Sequence, residues 1–98
     1  MKYLNIILLL CLFVSCSTSK TKLSKKGMKV EVLTKKPGKQ CSVVEKVIGV
    51  NDKGSVELAR NHARNLIGNA GGNAITFDEE IMNGNSWRVH STGFHCKE

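Results

Sequence analysis

The sequence predicts an α+β domain: about four antiparallel strands packed against one helix, in the order β-β-α-β-β, with one disulfide. Three observations carry this. Apolar residues recur with period two over residues 28–33 and dominate 41–50, they take up a helical period after Ser55, and two further strand-like runs flank an Asn-Gly pair near the C-terminus.

In the first run, Met28, Val30 and Val32 alternate with Lys29 and Glu31, the mark of a half-buried strand. It stops at Thr34-Lys35-Lys36-Pro37-Gly38. Proline presets φ for the first central position of a turn there, and glycine accepts positive φ at the second. The second strand, 41–50, sets Val43, Glu45, Val47 and Gly49 on one side and Val44, Lys46, Ile48 and Val50 on the other. Neither side is cleanly apolar, which predicts a central or partly covered strand. After the loop Asn51-Asp52-Lys53-Gly54, the residues Val56, Ala59, Ala63, Leu66, Ile67 and Ala70 form one helical stripe about 100° wide. Ser55 suits the N-cap, Glu57 complements the helix dipole, and Gly71-Gly72 supplies a positive-φ stop. The alanines on the stripe predict close approach to the sheet. Residues 73–81 and 86–96 then form a hairpin through Met82-Asn83-Gly84-Asn85, whose Asn-Gly pair suits a type I′ turn. Trp87 shares a side with Val89 and is expected in the core.

The N-terminus addresses the chain to the cell envelope. Lys2 precedes nine consecutive apolar residues, 6–14, which is too short to span a bilayer and has the anatomy of a signal peptide. The run closes on Phe13-Val14-Ser15-Cys16, which resembles a bacterial lipobox. Residues 1–15 are therefore expected to be a lipoprotein signal peptide and Cys16 the lipidated residue. Residues 16–27 are then the lipidated cysteine and a flexible basic tether, and 28–98 the domain. Ser17, in place of the aspartate that retains such proteins at the inner membrane, favours lipid anchoring in the outer membrane with the domain in the periplasm. Cys11 is apolar filler in the signal, which leaves Cys41 and Cys96 as the cysteines of the exported domain; an oxidising compartment makes a disulfide between them the default.

Composition limits the function. At 98 residues, with 15 basic against 8 acidic side chains and a net charge of +7, the chain has room for one small domain and a preference for anionic surroundings. Its 5% aromatic content, without helix-turn-helix or zinc-finger spacing, argues against nucleic acid. No nucleophile elbow, paired-carboxylate motif or phosphate loop is present, so no enzymatic activity and no cofactor are expected. His90 and His95 are five apart on one strand and point to opposite faces, while His62 lies on the helix flank, so no metal site is expected.

The helix reads Ala59-Arg60-Asn61 and then Arg64-Asn65, followed by Gly71-Gly72-Asn73-Ala74-Ile75, between a strand opening at Cys41 and one closing at Cys96. This pattern, over about residues 28–97, resembles a family of small bacterial lipoproteins of unknown function related to the RcsF outer-membrane stress-sensor lipoproteins. The resemblance implies envelope stress sensing or envelope maintenance. Asn61 and Asn65 oppose the apolar stripe where better helix formers would serve, and Arg60 and Arg64 form a like-charge pair. Arg60, Asn61, Arg64 and Asn65 are accordingly the candidate partner-binding residues. The expectation is a membrane-anchored, non-enzymatic binding or signalling module of the envelope with an envelope protein partner. The alternative is an anion-binding domain for lipopolysaccharide or another acidic envelope polymer.

Overall fold

The computed structural model describes residues 22–97. The signal peptide 1–15, Cys16 and residues 17–21 of the expected tether lie outside the described residues. Within them the chain forms α1 (Lys25–Met28), β1 (Glu31–Val32), β2 (Cys41–Asn51), α2 (Val56–Asn69), β3 (Ala74–Asn83) and β4 (Ser86–Cys96). The strands make one sheet in the order β1-β3-β4-β2. The α+β class and the β-β-α-β-β succession hold. The sheet, however, is mixed rather than purely antiparallel, because β1 runs parallel to β3 while β3–β4 and β2–β4 are antiparallel. The reason is topological: β1 and β2 are neighbours in sequence but occupy opposite edges of the sheet.

Residues 28–33 differ most from their period-two reading. Ser24 caps a single helical turn, its Oγ accepting from the Gly27 amide at 3.0 Å, so Met28 ends a helix and only Glu31–Val32 pair as a strand. Of the alternating residues, Val30 alone is fully buried, while Met28 and Val32 are exposed. The segment 22–27, expected at the end of the tether, is folded against α2.

Ser55 caps α2 through a 3.1 Å bond from the Leu58 amide, and Gly71 takes φ 91° just past its end. The helix buries Ala59, Ala63 and Ile67 against one face of the sheet; Ala70, the last residue of the expected stripe, is its exposed C-cap. Close approach rests on the sheet glycines as much as on the alanines: a Cβ at Gly49 would lie 2.1 Å from the Ala59 carbonyl oxygen, and one at Gly93 would lie 2.3 Å from Ile67 Cδ1. Val30, Ala63, Ile67 and Ile75 form the centre of the core, with Val47 and Phe77 packed against it. Trp87, expected in the core, is only half-buried at the far end of β4.

Two β-bulges set which side chains face the helix. One lies at Val44 in β2 and one at Asp78 in β3. Each inserts one residue and reverses the alternation beyond it, which is why β2 has no cleanly apolar side in sequence. Past the first bulge Lys46 joins the face away from the helix; past the second, Glu80 turns toward the helix. The hairpin also differs from expectation. Asn83 pairs with Ser86, so the turn centres on Gly84-Asn85, and only Gly84 has positive φ (65°), the type II′ pattern rather than type I′.

Candidate functional site

The four helix residues expected to contact a partner are placed by the fold into different surroundings. Asn65 is buried; its Oδ1 accepts the Ser24 amide and its Nδ2 donates to the Lys22 carbonyl, both at 2.8 Å. It therefore ties the N-terminal segment to α2, which is also why Gly27 packs beside it and Gly68 lies against the Lys26 backbone. Arg64 donates from Nη2 to the Val30 carbonyl at 3.0 Å, while its buried Nε has no hydrogen-bond partner. Arg60 makes a two-point ion pair with Glu80, with Nη2 to Oε1 at 2.7 Å, and lies over the Phe77 ring, 5.8 Å from its centroid. Arg60, Asn61 and Arg64 line a shallow hollow with Phe77, Glu57 and Val32. Asn65 thus serves the fold, while Arg60 and Asn61 lie in the wall of this hollow. Asn65→Ala is expected to release residues 22–27 and raise tryptic cleavage after Lys25 and Lys26 roughly tenfold, from the loss of two partly buried hydrogen bonds. Limited proteolysis with peptide mapping checks this.

Hydrogen bonds from Arg60 hold the Glu80 carboxyl below its ordinary value, against a smaller opposing effect of burial, and the same contact raises the Arg60 guanidinium. Because the carboxylate form is favoured in the fold, its contribution is full above the ordinary glutamate value near 4.3 and is lost as pH falls through the depressed folded value. With Arg60 and Glu80 side chains 38% and 27% exposed, that contribution is below about 1 kcal/mol. Glu80→Gln is expected to remove this acid-side step from urea melts taken between pH 6 and pH 3 and to change stability little otherwise.

The histidines do not converge. His62 Nδ1 accepts the Val50 amide at 3.0 Å, covering part of the outer edge of β2, while His90 and His95 are set apart along β4. Among the described residues no group of three His, Cys, Asp or Glu is arranged to hold a metal ion. The Cys41–Cys96 disulfide is formed, between directly paired residues of β2 and β4. Asn73 braces this end of the sheet, donating to the Cys96 carbonyl at 2.9 Å and accepting its amide at 2.8 Å.

A large hollow lies on the side of the sheet that α2 leaves uncovered. Register places Phe94 beside Val43 there, and in the next row Thr76, Thr92 and Lys46. Since β1 and β2 sit on opposite edges, the chain between them must cross this face, and residues 33–38 form a roof over the Phe94 end. Together they enclose an open groove of about 810 Å³. Its floor is apolar at Val43 and Phe94, with Leu33 and Pro37 in the roof; Lys35, Lys36 and Lys46 line it, and Asp78 is its one carboxylate. Asp78 accepts hydroxyls from Thr76 at 2.8 Å and from Thr92 at 2.5 Å, one on each oxygen. None of these residues stood out as a site in sequence. The lysines there belong to a basic trend that runs through the whole N-terminal half, and the crossing that gathers them depends on strand order.

No protein-family model, no curated protein and no solved structure matches this chain.

Proposed function

We propose that the chain is a lipoprotein, acylated at Cys16 and anchored in the outer membrane with its domain in the periplasm, acting as a non-enzymatic binding or signalling module of the envelope. Envelope stress sensing is the role that its resemblance to small RcsF-related lipoproteins favours. The observation that carries the reading is Cys16 directly after the apolar run 6–14 and Phe13-Val14-Ser15. The disulfide joining the two domain cysteines supports an oxidising compartment. Two or three acyl chains bury enough methylene, at about 0.8 kcal/mol per CH₂, to hold the domain at a membrane. A second reading, binding of lipopolysaccharide or another acidic polymer, is favoured by the exposed lysines 25, 26 and 29 on and beside α1.

Metabolic labelling with an alkyne palmitate analogue tests the anchor. The wild-type chain is expected to take the label and sediment with outer membranes. The Cys16→Ala chain is expected to lose the label. An unlabelled wild-type chain, or a Cys16→Ala chain that labels equally, would sink the reading.

A further inference from the structure

We infer that the groove between residues 33–38 and the uncovered sheet face binds a small amphiphilic anion, an aliphatic chain ending in a phosphate or carboxylate. This rests on the binding-module part of the function proposed above and deepens it by naming the site and the ligand class.

Three features of the groove point the same way. Its volume, about 810 Å³, lies within the few hundred to about 1,000 Å³ of small-molecule sites, whereas a folded partner calls for a broad face of about 800 Å². The Val43 end of its floor is apolar yet incompletely covered, with Val43 left 60% exposed beside buried Phe94 and with Leu33 and Pro37 in the roof. Its charge is positive, since three lysines, Lys35, Lys36 and Lys46, line it along with one carboxylate, Asp78, both oxygens of which are already engaged by threonine hydroxyls. An apolar chain laid beside Phe94 beneath Leu33 and Pro37 removes the exposed surface of Val43 from water. Its anionic head meets ammonium groups on flexible stems, which accept phosphate and carboxylate geometries alike. A wholly polar anion leaves the floor wet, and an uncharged chain leaves the lysines unmatched.

The probe is octyl phosphate bearing a terminal diazirine, applied to the whole lipidated chain in phosphatidylcholine nanodiscs and followed by photolysis and peptide mass spectrometry. Saturable adducts are expected on the peptides containing Val43 and Phe94. Unlabelled octyl phosphate and octanoate are expected to compete at least tenfold better than octanol or inorganic phosphate. Lys46→Ala, at an exposed position, is expected to cut labelling at least fivefold with an unchanged melting temperature, and Lys36→Ala to cut it as well. Adducts scattered over the surface, equal competition by octanol, or full labelling of both lysine variants would overturn the proposal. An acidic peptide that outcompetes octyl phosphate would also overturn it, marking the groove as a protein-docking site. Palmitate incorporation at Cys16 is read separately, so loss of groove labelling and loss of the anchor are distinguishable.

Discussion

Cys41→Ser is expected to lower the melting temperature of the domain by roughly 15 to 30 °C. Cys41 opens β2 and Cys96 closes β4, so their bond spans 55 residues and encloses β2, α2, β3 and β4. Closing a loop of that length removes unfolded-state entropy worth about 4 kcal/mol, and about 1 kcal/mol moves a domain this small by 4–8 °C. Among the described residues the largest fully buried side chains are Ile67, Ile75, Val30 and Val89, a small core beside which about 4 kcal/mol is a large share of stability. Asn73 and the 3.0 Å bond from the Lys97 amide to the Gln40 carbonyl keep the sheet end aligned in the folded state. They do not restrict the unfolded chain, so they cannot replace the bond. Wild-type protein melted with a reductant should fall by a similar amount, and the Cys41→Ser/Cys96→Ser double variant should match the single one. Reduced protein melting within a few degrees of oxidised would show that the bond contributes little.

Gly49→Ala is the second large effect, with an expected loss of about 3 kcal/mol, at the upper end of ordinary overpacking. The added methyl would meet the Ala59 carbonyl oxygen at 2.1 Å and the Ala63 amide nitrogen at 2.8 Å, and both are backbone atoms of α2. Backbone within a helix yields only by lifting the helix, which opens the contact among Val30, Ala63, Ile67 and Ile75. Gly93→Ala gives the contrast. Its methyl meets Ile67 side-chain atoms, the nearest Cδ1, so repacking absorbs part of the clash and about 1–2 kcal/mol is expected. Urea midpoints at constant slope measure both losses. A Gly93→Ala protein less stable than Gly49→Ala would contradict this account of helix seating.

The helix, the hairpin and the disulfide were legible because each depends on residues read in order: the stripe from Val56, the cap at Ser55, the two strand-like runs on either side of Gly84 and the cysteines at 41 and 96. What stayed hidden depends on distance. Alternation cannot reveal a bulge, so the side of the sheet taken by Val43 or Glu80 was unreadable until each strand had its partner. Nor does a local pattern report that the strands following and preceding residues 33–40 lie on opposite edges, which makes β1 parallel to β3 and gathers the groove. Asn65 shows both limits. Its poor helix propensity correctly marked a side chain kept for a contact, but that contact is with residues 41 and 43 positions earlier, in a segment whose lysines and serines read as tether.

The hold of Asn65 on residues 22 and 24 also sets the length of the leash. With Cys16 acylated as proposed, six residue steps separate the bilayer anchor from the first pinned residue, and even fully extended they reach about 21 Å. A tether free as far as Gly27 would reach nearly twice as far. On that proposal the shorter leash would leave the domain less room to tumble and would keep the α1 corner, with exposed lysines 25, 26 and 29, close to the headgroups. Each lysine close to an anionic leaflet would add about 1 kcal/mol of attraction to the anchor's hold. On the proposed anchoring, the helical layer would ride near the membrane and the groove on the opposite side of the sheet would open away from it.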